Sequence, residues 1–118
     1  MAVTAQGTGT QTATIGTEHT LLDVAVAGTF TLHVDLVNMA AADVLELRAY
    51  QIVLTGGTRR CAYFQNYLDA QGNADTFPRI AISVPISNEL TDAGALRFTL
   101  KQTNGTGRSF DWKVLKYA

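Results

Sequence analysis

A chain of 118 residues, 47% of them hydrophobic, suffices for one compact domain with a buried core. Nine basic and ten acidic residues leave a net charge of −1, which excludes the broad basic field of a nucleic-acid or anionic-membrane binder. Charged residues make up only 16%, below the quarter usual for soluble domains, so a low-charge, threonine-rich surface is expected to lie against partners.

The first fifteen residues, "MAVTAQGTGTQTATI", are small and polar with little to bury. They contain neither a basic nor an apolar signal-peptide region, which predicts no secretory leader. Residues 1–15 are therefore expected to be an N-terminal arm, flexible or ordered on assembly, ahead of a single domain over 16–118. Two readings stand for the arm: a disordered tail, or a threonine-rich strand added to a neighbouring subunit.

From residue 18 onward the pattern alternates with period two, the signature of half-buried strands. "EHTLLDVAVAG" is the first such strand. In "GTFTLHVDLVN", Phe30, Leu32, Val34 and Leu36 share one face, with Thr29, Thr31, His33 and Asp35 on the other. The alanines of "NMAAADVLEL" favour helix, but Val44 to Val53 fits a strand better. There Leu45, Leu47, Ala49 and Val53 oppose Glu46, Arg48 and Tyr50. A hairpin at Thr55-Gly56-Gly57-Thr58 is expected to use positive φ at the glycine pair and to lead into a second long strand.

"QGNAD" reads as a turn, and "FPRIAISVPIS" sets Ile80, Ile82, Val84 and Ile86 on one face. Pro78 and Pro85 place that strand at an edge or at a bulge. "NELTDAG" is a loop or short helical turn. "ALRFTLKQ" alternates Leu96, Phe98 and Leu100 against Arg97, Thr99 and Lys101. "RSFDWKVLKY" alternates Phe110, Trp112 and Val114 against Asp111 and Lys113. The sum is about seven or eight strands at sandwich spacing, an all-β, antiparallel, jelly-roll-like sandwich.

No catalytic residue is assigned. "GTGR" lacks the following helix and the Lys-Ser/Thr pair of a phosphate loop, so Asn104 to Gly107 are expected to form a hairpin bend. Asn104-Gly105-Thr106 matches a glycosylation sequon by chance in a chain without secretion. His33 and Asp35, even with Glu18 and His19, fall short of the converging nitrogen and sulfur ligands of a zinc site, so no metal and no cofactor is expected. Cys61, the one cysteine, forms no internal disulfide and is expected to be a small buried thiol in a strand. Tyr50, Tyr63, Tyr67, Trp112 and Tyr117 exceed what one small core needs. With Arg59, Arg60 and Arg108 they form a candidate partner interface; the competing reading is that they cap the sandwich ends.

The stretches "DLVNMAAADVLELRAY", "VLTGGTRRCAYFQNY" and "LRFTLKQTNGTGRSFDWKVLK" resemble the small all-β proteins that tailed phages encode near their capsid genes, jelly-roll decoration or cement proteins among them. The resemblance covers residues 28 to 117 and carries over no individual site residue. It implies a non-enzymatic virion protein on the outer capsid surface, assembled in the host cytoplasm. Its partners would be the major capsid protein and further copies of itself, not nucleic acid or membrane. A phage tail or fibre module, and a lectin-like carbohydrate-binding module, are the alternatives.

Overall fold

The computed structural model describes residues 2–72 and 78–117 and is all-β, with nine antiparallel strands among the described residues. In chain order they are β1 (Val3–Thr12), β2 (Glu18–Val24), β3 (Gly28–Asp35), β4 (Val44–Gln51), β5 (Arg60–Leu68), β6 (Ile80–Ile82), β7 (Ile86–Asn88), β8 (Leu96–Asn104) and β9 (Ser109–Tyr117). One sheet runs β1-β9-β3-β6, with β7 also on β3; the other runs β2-β8-β4-β5.

Because β6 and β7 pair with opposite ends of β3, they form one interrupted strand. The chain then folds as a long nested hairpin in which β1 pairs with β9, β2 with β8, β3 with β6/β7 and β4 with β5. That nesting, wrapped into two facing sheets, is the jelly-roll arrangement expected from the strand pattern.

Period-two alternation places the core as read from the sequence. Phe30, Leu32, Val34, Leu45, Leu47, Ala49, Leu96, Phe98, Leu100, Phe110 and Val114 are buried between the sheets. Residues 44–51 form a strand and not a helix.

Several local expectations are corrected. Residues 3–12 are not an arm awaiting a neighbour but the edge strand β1, hydrogen-bonded to β9 of the same chain. Its small residues have a packing reason: a Cβ at Gly7 would lie 2.9 Å from Leu22 Cδ1, and one at Gly9 3.1 Å from the Trp112 ring. Asn104 to Gly107 do not close a hairpin, because β8 and β9 belong to different sheets; the bend carries the chain across the sandwich. The link between β4 and β5 spans residues 52–59, and of its two glycines only Gly56 takes a positive φ, 79°. Val53, past the end of β4, is exposed and not on the core face.

Another correction concerns facing. Ile80, Ile82 and Val84 point outward while Ile86 is buried, because the strand breaks at residues 83–85 and Pro85 cannot join a ladder. The edge position expected for this segment is correct. Cys61 is exposed, not buried. A bulge opposite Ala49 and Tyr50 inserts Ala62 into β5, so Cys61 pairs with outward Tyr50 and not with the inward row of Tyr63 and Tyr67. The turn expected in "QGNAD" falls largely on residues 73–75, and Phe77 with them, outside the described residues.

Candidate interaction surfaces

The eight residues nominated as a partner interface do not converge. They divide among the bend at one end of the sandwich, the outer face of the β1-containing sheet, the outer face of the β2-containing sheet and the edge strand β5.

At the bend, Arg108 is taken up internally. Its Nε donates to Asp43 Oδ2 at 2.8 Å, and the Asp43 side chain is only 1% exposed. The same carboxylate accepts from the backbone amides of Ala40 at 2.9 Å and Thr106 at 3.1 Å. Burial alone would push the Asp43 carboxyl up, but the Ala40 amide, the Arg108 guanidinium and the Thr106 amide together hold it below the ordinary carboxylate range. Gln102, fully buried, donates to the Asn104 and Thr106 carbonyls and accepts from the Arg108 amide. Gly105 is needed here: its φ is 89°, and a Cβ would run into Asp43. "NGTGR" is thus a polar plug that satisfies the crossover's backbone.

On the outer face of the β1-containing sheet, the Tyr117 hydroxyl lies 3.1 Å from Thr31 Oγ1, which also bonds His33 Nε2 at 2.9 Å. Burial and the neighbouring Lys113 charge push the His33 imidazole pKa down. A shallow groove of about 260 Å³ runs over Thr8, His33, Asp35, Ile80, Asp111, Trp112 and Lys113. Trp112 itself falls in the inward row with Phe110 and Val114, half-buried against the core.

On the outer face of the β2-containing sheet, the Glu18 carboxylate accepts from Tyr50 Oη at 2.6 Å and Thr99 Oγ1 at 2.7 Å. Burial and the Glu18 charge push the Tyr50 phenol up to about 12. Burial acts to raise Glu18, but the Thr99 and Tyr50 hydroxyls, with Arg48 and Lys101, bring it below its ordinary value. Arg97 grips Asp23 through two bonds of 2.6 and 3.0 Å. Arg48 pairs with Glu46 at 2.9 Å and lies over the Phe64 ring, 4.8 Å from its centroid. Charges on this face are largely matched within the chain.

On β5, Arg59 just before the strand donates to the Gly94 carbonyl at 2.9 Å, and Arg60 is exposed. Tyr63 and Tyr67 turn inward and pack half-buried against the core, and burial raises both phenols. Sequence reading missed the outward row of this strand, Phe64 at 46% exposure and Leu68 at 57%. The signal was present in the spacing of two apolar residues four apart, on the parity opposite to the tyrosines.

Among the described residues no group of three or more His, Cys, Asp or Glu side chains is placed to hold a metal ion. His33 and Asp35 lie on one sheet; Glu18 and His19 lie on the other, where His19 Nε2 accepts from the Thr14 amide at 3.1 Å. No helix of the described residues is long and apolar enough to cross a membrane. No protein-family model, curated protein or solved structure matches the chain.

Proposed function

We propose that this chain is a non-enzymatic structural subunit of a virion: a decoration protein on the outer surface of a tailed-phage capsid, bridging neighbouring copies of the major capsid protein. The observation that carries the reading is a jelly roll whose sandwich is packed solid with Phe, Leu and Val, and whose two longest edge strands carry almost no charge. Such a module offers rigid faces and edges for contact. Seated in many copies, each adding interface area, it raises the free energy needed to rupture a shell.

Purified chain incubated with expanded, mature capsids should bind them and raise the temperature at which they lose DNA. Binding to glycans with none to capsids would overturn this in favour of the lectin-like module, for which Trp112 is poorly placed as a sugar platform because its ring packs inward. Copy number in purified virions separates the capsid reading from a tail or fibre module: hundreds of copies support the shell, a handful the tail.

A further inference from the structure

The sandwich has four edges, and they are not treated alike. β2 is short, carries Glu18 and Asp23, and has a bulge between Thr20 and Leu22. The edge formed by β6 and β7 is cut into two three-residue pieces around Pro85. Both show the devices that keep an exposed ladder from pairing with another chain. β1 is long and uncharged, but a bulge between Ala5 and Gly7 breaks its register, and its Thr10 and Thr12 hydroxyls already bond Asp111 and Ser109. Its outward row offers no large apolar side chain but Val3.

β5 is less protected, its one bulge and its one charge both lying near its first end. It is nine residues long, so it spans roughly 30 Å. It pairs with β4 on one side, and among the described residues no strand pairs with the other. From Cys61 to Leu68 it has neither charge nor proline. Its bulge lies at Ala62, near one end, and leaves Tyr63 to Leu68 in regular register. Phe64 and Leu68 stand exposed on one face, and Tyr63 and Tyr67 are half-buried on the other. Burying such side chains is favourable, and unpaired backbone N–H and C=O groups are a template for a further strand.

We infer that β5 is a self-association edge, which pairs antiparallel with β5 of a second copy about a two-fold axis and joins two four-stranded sheets into one of eight. A two-fold axis perpendicular to the sheet keeps each face on its own side, so only residues of equal parity meet. Centred on Asn66, the pairing sets Phe64 opposite Leu68 of the second copy, and the reverse, on the outer face. Gln65 meets Tyr67 of the second copy on the inner face. Arg60 falls beyond the end of the opposing strand, so no like charges face each other across the joint. Main-chain bonds would supply affinity and the Phe64–Leu68 pairs register.

The inference deepens the self-association part of the proposed function, but its test contains no capsid, so either reading can fail alone. Sedimentation of the full chain should show a concentration-dependent dimer. The double variant Phe64→Lys, Leu68→Lys should weaken it at least about thirtyfold, the 2 kcal/mol that marks an interface hot spot. In a Cys61→Ser background, Asn66→Cys should form a disulfide-linked dimer on mild oxidation, because directly opposed strand residues lie within disulfide reach. Thr8→Cys on β1 should not. The cross-link decides the matter if the lysine variant fails to fold. A chain that stays monomeric at all concentrations, a dimer that survives both lysines, or cross-linking through Thr8 in place of Asn66 would overturn the inference.

Discussion

The bend at residues 104–108 and the strand at residues 60–68 both drew attention as contact surfaces, each pairing arginine with aromatic or glycine-rich neighbours, and they turn out to be opposites. At the bend, every conspicuous polar group has an internal partner: Arg108 holds Asp43, and Gln102 holds three backbone groups of the turn. On β5 no strand among the described residues pairs along one side, and Phe64 and Leu68 are exposed. A charged residue in a loop is poor evidence of recognition when a buried carboxylate lies within reach. A long edge strand with exposed apolar side chains is better evidence, because leaving it open costs the molecule its protection against association.

The largest expected effects break the bend. Arg108→Ala leaves the buried Asp43 carboxylate without its counter-charge and should cost about 3 kcal/mol or more in urea unfolding. Adding Asp43→Asn should recover part of that loss, since the buried charge is then gone; additive losses would refute the pairing. The folded Asp43 carboxyl titrates below its unfolded value of 3.8, so its contribution is fully present above about pH 4. It disappears as pH falls through the folded value, so the stability gap between wild type and Arg108→Ala should narrow at low pH, where Asp43 is neutral in both.

A middle-sized effect tests the β1 rim. Gly9→Val drives a branched side chain into the Trp112 ring and should destabilise by about 1–3 kcal/mol. A residue in a loose arm would tolerate the change, so an unaltered melting temperature would count against the β1–β9 pairing.

A smaller change relieves strain beside the bend. Ala42 has φ of 71°, a left-handed conformation held by its amide bond to Asp69 and its carbonyl bond from Asn104. Ala42→Gly should therefore stabilise by about 1 kcal/mol, against the usual direction of that substitution. The smallest effect belongs to β5: Phe64→Lys, Leu68→Lys should cost the monomer only about 1 kcal/mol, through the lost Arg48–Phe64 contact, while changing association, the reverse of the bend variants. His33 adds a pH check elsewhere. Its folded pKa lies below the ordinary 6.5, so stability should decline as pH falls through that value, and His33→Gln should flatten the decline.

Much of the fold is legible in the sequence. The rows Phe30-Leu32-Val34, Leu45-Leu47-Ala49 and Leu96-Phe98-Leu100 alternate strictly, and each is buried as read. Reading failed where one residue shifts the phase. Ala62 turned Cys61 outward, and the break before Pro85 separated Ile82 and Val84 from Ile86, since an extra or missing residue reverses every later side chain. The Asp43–Arg108 pair, 65 residues apart in the chain, was beyond any local pattern.

The sequence by itself determined the class of structure, the core rows and the low charge, because these rest on periodicity and composition, which are local. Only the tertiary structure decided that residues 3–12 close a sheet, that "NGTGR" crosses between sheets, and that Arg108 is bound while β5 is open. Those outcomes depend on which strands become neighbours in the nested hairpin. Pairing of that kind is fixed by contacts made across nearly the whole chain, from Val3 to Tyr117.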